Sequence, residues 1–145
     1  MTWEKEVKEI KHKRHLAEEM GGKDSVALQH SKGRLTIRER IHGILDENSF
    51  DEVGKAAGHS DYDENGELQG FTPANFVLGF GKINDRPIII GGEDFSLKGG
   101  SPNAAGLRKS IYTEELAIQY KLPLVRLHEG AGGSVGGASQ EKTNR

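Results

Sequence analysis

The chain has 145 residues, of which 34% are hydrophobic, 20 are glycine and none is cysteine, and its formal net charge is −2. This length corresponds to about one ordinary domain. Without cysteine, a disulfide framework, a thiolate nucleophile and a Cys-ligated metal site are excluded. The longest aliphatic run covers only residues 88–90, and the charged start lacks the apolar segment of a secretory signal. We therefore expect a cytoplasmic protein without a membrane partner.

Glycine is the unusual component, because its share is about twice the average of 7%. Half of the 20 glycines lie within residues 91–137, and five fall within residues 130–137. They show no collagen period and no linker-like bias. Glycines grouped at the ends of apolar segments indicate tight turns and close approaches of the backbone.

The first 46 residues are predicted to be an N-terminal helical segment. A first helix, ended by the glycines at 21 and 22, has apolar residues at helical spacing on one stripe. That stripe consists of Trp3, Val7, Ile10, Ala17 and Met20. A short helix should follow over residues 25–30, and Thr36 and Glu39 form a capping box at the start of a third helix. We expect the stripe to pack on another surface. The net charge of +3 over residues 1–40 is too small to indicate a nucleic-acid partner.

Residues 47–70 are predicted to be an acidic strand and loop. The strand should cover residues 49–53, and residues 54–70 should form a polar loop. Residues 61–66 match the first half of a calcium-binding EF-hand loop, but its twelfth position, which needs a bidentate Glu, is Thr72 followed by Pro73. An acidic turn therefore explains these residues better than a calcium site.

The hydrophobic pattern of residues 71–139 predicts a β-hairpin, a helix and a strand. The hairpin covers residues 76–91 and turns at Asn84 and Asp85. Ser101 is expected to cap the next helix, with Pro102 at its first position and its end near Lys121, before a strand over residues 122–127. A helical crossover makes the strands parallel. The glycine-rich segments 91–100 and 130–137 should therefore lie side by side at one edge of the sheet.

The chain carries no sequence motif for a nucleotide, for a serine nucleophile or for a metal ion. Six histidines are present, but their spacing matches no metal-binding pattern. Bare backbone N–H groups at Gly132 and Gly133 could stabilise an oxyanion or an enolate. Two tight turns with packing glycines explain the same residues, so the residues alone leave both interpretations open.

Four segments together resemble a known family, and they occur in the same order. These are GRLTIRERIHGILDENSF, VLGFGKINDRPIIIGGEDFSLKGGS, YTEELAIQYKLPLV and HEGAGGSV. They are similar to the amino-terminal part of biotin-dependent acyl-CoA carboxyltransferases, the β subunits of propionyl-, methylcrotonyl- and acetyl-CoA carboxylases. The resemblance implies an α/β, crotonase-like spiral of β-β-α units, incomplete here and preceded by the N-terminal helices. It implies that residues 71–139 begin the acyl-CoA-binding domain of a longer subunit and that residues 140–145 are disordered.

The resemblance also implies a reaction. A carboxyl group moves from carboxybiotin to the α-carbon of an acyl-CoA, whose enolate is held by backbone N–H groups in an oxyanion hole. By resemblance these groups lie around Gly132 and Gly133, with Ala131 as the alternative. The implied substrate-binding residues are Lys98, Gly99, Gly100, Ser101 and Arg108; Lys109 is a further candidate for the CoA phosphates.

The partners follow from the same resemblance. No Met-Lys-Met motif occurs, so biotin should arrive on a biotin carboxylase or biotin carrier subunit. The full-length subunit should form a homo-oligomer, located in the mitochondrial matrix if eukaryotic, and the chain alone should be inactive. Two alternatives stay open: a non-catalytic CoA-binding or assembly module, and the decarboxylase subunit of a biotin-dependent sodium pump.

Overall fold

The structure is a computed structural model that describes residues 2–130. It contains four α-helices, six β-strands and one short 3₁₀ turn. The helices are α1 (Glu4–Glu18), α2 (Lys23–Ser31), α3 (Ile37–Ile44) and α4 (Ala104–Tyr120). The strands are β1 (Asp51–Glu52), β2 (Gly58–Tyr62), β3 (Leu68–Pro73), β4 (Phe76–Ile83), β5 (Arg86–Glu93) and β6 (Leu124–Leu127), and the 3₁₀ turn covers Lys98–Gly100.

The central sheet has four strands in the order β1-β4-β5-β6. Strands β4 and β5 form the predicted hairpin, in which Asn84 and Asp85 both have positive φ, as a two-residue turn of this kind requires. After α4 crosses over, β6 pairs in parallel with β5, which confirms the predicted crossover. Strands β2 and β3 form a separate two-stranded sheet.

The sheet is covered on both faces, and successive residues of β5 point to opposite sides. Ile88 and Ile90 join the cluster formed with Ile37 and Ile41 of α3. Ile89 joins the cluster on the other face, which contains Phe76, Leu78 and Leu116. This two-sided burial explains why β5 is a continuous apolar run rather than an alternating one.

The predicted loop over residues 54–70 is wrong, because the chain forms strands β2 and β3 there. These strands are mostly polar, so they carry no alternating apolar pattern. Side-chain contacts with α1 hold the hairpin: Lys5 pairs with Glu67, and the Tyr62 hydroxyl lies 2.7 Å from Glu9 Oε1. The EF-hand-like residues form its turn, where Asp63 Oδ1 accepts hydrogen bonds from two backbone N–H groups.

The predicted N-cap of α4 is also wrong by two residues. Asn103, not Ser101, caps the helix, and its Oδ1 accepts a hydrogen bond of 2.7 Å from the Gly106 N–H. Asn103 caps the helix because its side-chain amide also donates a hydrogen bond to the Pro73 carbonyl, which holds the side chain in place. The predicted end of α4 near Lys121 is confirmed.

The capping box at the start of α3 and the short helix α2 are confirmed. The apolar stripe of the first helix is only partly buried. Ala17 is buried and Met20 packs against the core, but Trp3 remains 71% exposed, and Val7 and Ile10 are exposed as well. The partner surface that the stripe predicts therefore stays a prediction.

Candidate functional site

The turn after β5 has an unusual backbone. Lys98, Gly99 and Gly100 have φ values of 49°, 59° and 73°, three left-handed residues in succession. A Cβ at Gly100 would lie 2.5 Å from the Glu129 carbonyl oxygen, so any side chain there would collide with the chain that follows β6. Glycine is thus required at position 100 by both its conformation and its contact.

This contact brings together the two glycine-rich segments. Gly100 and Gly130 both line a cavity of about 280 Å³ beside the start of α4. Phe76 and Leu107 give the cavity apolar walls. Because Gly106 has no side chain, the Asn75 side chain can approach α4 closely. The predicted juxtaposition is therefore confirmed as far as Gly130.

Hydrogen bonds and ion pairs fix the segment after β6, which forms one side of this cavity. Arg40 Nη1 lies 3.2 Å from Glu129 Oε2, which ties α3 to the residues after β6. The Glu129 N–H donates to Glu93 Oε2 at 3.2 Å. Arg126 donates to the Ser110 carbonyl at 3.0 Å, and this bond joins β6 to α4. The strand end thus has a defined position relative to the glycine turn.

Asn75 holds the other side of the cavity, and sequence reasoning missed it. Its side chain is 2% exposed and bridges two backbone groups of the segment before α4. The amide nitrogen donates to the Ser101 carbonyl, and the amide oxygen accepts from the Asn103 N–H at 3.0 Å. These partners are 26 and 28 residues away in sequence, so no local pattern could have revealed them.

The turn also contains a buried acid, Asp94. Burial raises the pKa of its carboxyl group, although hydrogen bonds from the Ser96 N–H and hydroxyl oppose the shift. Ser96 in turn accepts a hydrogen bond of 2.9 Å from the Gly21 N–H. Asp94 therefore anchors the turn to the segment between α1 and α2, a structural task that explains its burial.

The predicted site residues fall into three groups. Lys98, Gly99, Gly100 and Ser101 form the turn, and Gly100 lines the cavity. Arg108 lies elsewhere, in a second cavity on the other flank of α4. The predicted oxyanion-hole residues lie outside the described residues; they are Ala131, Gly132 and Gly133.

Residues 2–130 contain neither a metal-binding cluster nor a membrane-spanning helix. No group of three or more His, Asp or Glu side chains there is arranged to hold a metal ion. None of the helices in this part of the chain is long and apolar enough to cross a membrane.

The chain belongs to the carboxyl transferase domain family, which it matches over residues 28–143. It is 30% identical over 135 residues to the carboxyltransferase subunit of propionyl-CoA carboxylase from Haloferax mediterranei, covering 93% of this chain and 26% of that protein. It is 37% identical over 115 residues to the biotin-dependent acetyl-/propionyl-coenzyme A carboxylase beta5 subunit of Mycobacterium tuberculosis, covering 79% and 21%. The chain thus spans about a quarter of the length of these relatives.

The fold agrees with this family. A crystal structure of transcarboxylase 12S with methylmalonyl-coenzyme A and methylmalonic acid bound matches with a TM-score of 0.77 and 31% identity. The match covers 95% of this chain and 27% of that chain. The expected α/β, crotonase-like arrangement preceded by N-terminal helices is confirmed.

Proposed function

We propose that this chain forms part of the acyl-CoA half of a carboxyltransferase. The reaction would move a carboxyl group from carboxybiotin, carried by a partner subunit, to the α-carbon of an acyl-CoA. The proposal rests mainly on the close approach of Gly100 to the Glu129 carbonyl. This approach places both glycine-rich segments on the wall of one cavity. The transcarboxylase 12S likeness, in a structure with a coenzyme A thioester bound, supports it.

The cavity suits a thioester because its glycines have no side chains. The thioester oxygen of a substrate can therefore approach the protein backbone closely. The N–H groups of Gly100 and Ser101 donate within the turn, to the Leu97 and Lys98 carbonyls. They are therefore engaged. We assign stabilisation of the enolate oxygen to N–H groups around Gly132 and Gly133, with Ala131 as the alternative donor. Such preorganised donors each contribute about 3 kcal/mol to transition-state stabilisation.

The chain's own contribution is to bind and orient the acyl thioester and to hold negative charge on its oxygen. Biotin, when bound on the partner, supplies the carboxyl group. The proposal therefore includes a biotin carboxylase or carrier subunit and a homo-oligomer of a longer protein. It places the chain in the cytoplasm, or in the mitochondrial matrix of a eukaryote. Because it assigns no carboxyl donor to this chain, we expect no turnover from the chain alone.

Calorimetric titration with acetyl-CoA and propionyl-CoA tests the proposal. Gly130→Val should weaken binding at least tenfold, because the new side chain fills the cavity while a Cβ at this position meets no other atom of the described residues within 4 Å. Gly43→Val is the matched control, since a Cβ there is equally free and Gly43 lies on α3, away from the cavity. Absence of binding by the wild-type chain, or equal affinity of all three proteins, would contradict the proposal.

A further inference from the structure

The cavity lined by Gly100 and Gly130, here called the glycine cavity, has one charged side chain on its wall. Among the described residues that line it, Glu93 is the only acidic or basic one. The other lining residues are apolar or neutral, and Phe76 and Leu107 supply the apolar surface. The Glu93 side chain is only 19% exposed, so little water surrounds its carboxylate. A molecule in this cavity would therefore lie close to a negative charge.

Contacts with the segment after β6 hold the Glu93 carboxylate in place. Because Gly92 pairs with Leu127, the last residue of β6, Glu93 lies beside the residues that leave this strand. Its Oε2 accepts a hydrogen bond of 3.2 Å from the Glu129 N–H, and its Oε1 lies 3.4 Å from His128 Nδ1. The carboxylate therefore has a defined position on the cavity wall.

The basic side chains of this region offset the Glu93 charge only in part. His128 is 73% exposed, so water screens its contact with the carboxylate. Arg126 lies 5.0 Å from the centroid of the Phe76 ring, but it is paired with Glu114 at 3.7 Å. Neither of these basic residues lines the cavity. The wall that the described residues form therefore carries a net negative charge.

We propose that Glu93 is a specificity-determining residue, which makes the glycine cavity prefer an uncharged acyl group to one that carries a carboxylate. The inference rests on the proposed function, because it takes the acyl group to lie in this cavity. Two carboxylates at close range repel each other, and the repulsion grows as water is excluded. A carboxylate on the acyl group would also leave water without a cation on the described wall to receive it.

This preference bears on the direction of the reaction. Carboxylation converts an uncharged acyl group into one with a carboxylate on its α-carbon. The Glu93 charge therefore weakens the binding of the product more than that of the substrate. A decarboxylase, the alternative that the sequence leaves open, would bind the carboxylate form as its substrate, and the same charge would oppose it.

Calorimetric titration with isovaleryl-CoA and malonyl-CoA tests the proposal. The two acyl groups have similar shapes, because the isopropyl group of one takes the place of the carboxylate of the other, and the CoA part cancels in the ratio of affinities. The wild type should bind isovaleryl-CoA at least about tenfold more tightly. Glu93→Gln should reduce this preference at least about fivefold, because the amide removes the charge and keeps an acceptor for the Glu129 N–H.

Two further variants complete the test. Glu115→Gln is the matched control and should keep the wild-type preference, since it removes the same charge from an exposed position on α4 that does not line the cavity. Leu107→Lys keeps the test valid if Glu93→Gln fails to fold. Leu107 lines the cavity and is 52% exposed, so a lysine there would offset the Glu93 charge and should also reduce the preference.

The proposal is overturned if the wild type binds both ligands equally well, or if Glu93→Gln keeps the full preference for isovaleryl-CoA. Should Glu93→Gln not fold, an unchanged preference in Leu107→Lys overturns it. These results leave the proposed function standing, because the acyl-CoA ligands still bind. Absence of binding by both ligands would instead contradict the proposed function and this inference together.

Discussion

Asn75 shows how one side chain can set the geometry of the glycine cavity. Its amide satisfies the Ser101 carbonyl and the Asn103 N–H, and a Cβ at Gly106 would lie 2.2 Å from its oxygen. The side chain therefore holds the segment that leaves the glycine turn and enters α4. Only a group with one donor and one acceptor can make both bonds.

Asn75→Leu should lower the free energy of unfolding by about 2 to 4 kcal/mol, because it keeps the side-chain size but leaves two partly buried backbone groups without their partner. Urea denaturation measures this change. Asn65→Ala, in the exposed turn between β2 and β3, is the control and should stay within about 0.5 kcal/mol of the wild type. If Asn75→Leu is as stable as the Asn65→Ala control, the hydrogen bonds of the Asn75 side chain contribute little to the stability of the fold.

Lys109 predicts a pH dependence of stability. Its pKa is about 8 in the folded chain and near 10.5 when unfolded, so the unfolded state binds more protons between these values. The free energy of unfolding should therefore increase by about 2 to 3 kcal/mol as the pH rises from about 8 to 10.5. Below pH 8 the lysine is charged in both states and the gain is absent.

Comparison with Lys109→Met isolates this contribution, since the other titrating groups are common to both proteins. The stability of the wild type relative to the variant should rise from pH 7.5 to 10.5 in urea denaturation without phosphate. Lys23→Met, at an exposed position on α2, is the control for the loss of a surface lysine. A constant difference for Lys109→Met would contradict the lowered pKa.

At the scale of elements, local patterns predicted much of the sheet. The turn residues Asn84 and Asp85 specify the hairpin of β4 and β5, and the apolar periodicity of α4 forces the crossover that makes β6 parallel. From these elements the meeting of the two glycine segments follows by topology alone. The hairpin of β2 and β3 escaped prediction because polar contacts with α1 hold it, and those contacts join residues about 50 to 60 positions apart.

The cap of α4 offers a direct test of an element boundary. Asn103→Ala should lower the free energy of unfolding by about 1 to 2 kcal/mol, because it removes the bond to the Gly106 N–H. Ser101→Ala, at the cap that the sequence predicts, should change it by less than about 0.5 kcal/mol, since no side-chain hydrogen bond of Ser101 occurs among the described residues. Thermal or urea unfolding of both variants decides between the two caps; a larger loss for Ser101→Ala would restore the sequence-based boundary.

At the scale of the whole molecule, the chain has a core on both faces of its sheet but leaves large apolar side chains uncovered. Helix α4 buries Thr113 and Leu116 against the sheet, while Leu107, Ile111 and Ile118 are exposed along its outer side. Trp3 and its neighbours on α1 add a second exposed group. Since the chain spans about a quarter of its relatives, no sequence pattern within it could specify what covers these surfaces.

We expect the chain to self-associate through these surfaces, because exposed apolar side chains grouped on one helix favour contact between molecules. Sedimentation velocity at increasing concentration should show a growing fraction of larger species. Ile118→Lys should reduce that fraction, since Ile118 is 78% exposed and its replacement leaves the core intact. Glu115→Lys, on the same helix, changes charge without removing apolar surface and distinguishes the two effects. If the wild type stays monomeric at high concentration, or if Glu115→Lys acts as strongly as Ile118→Lys, then apolar contact is not what brings the chains together.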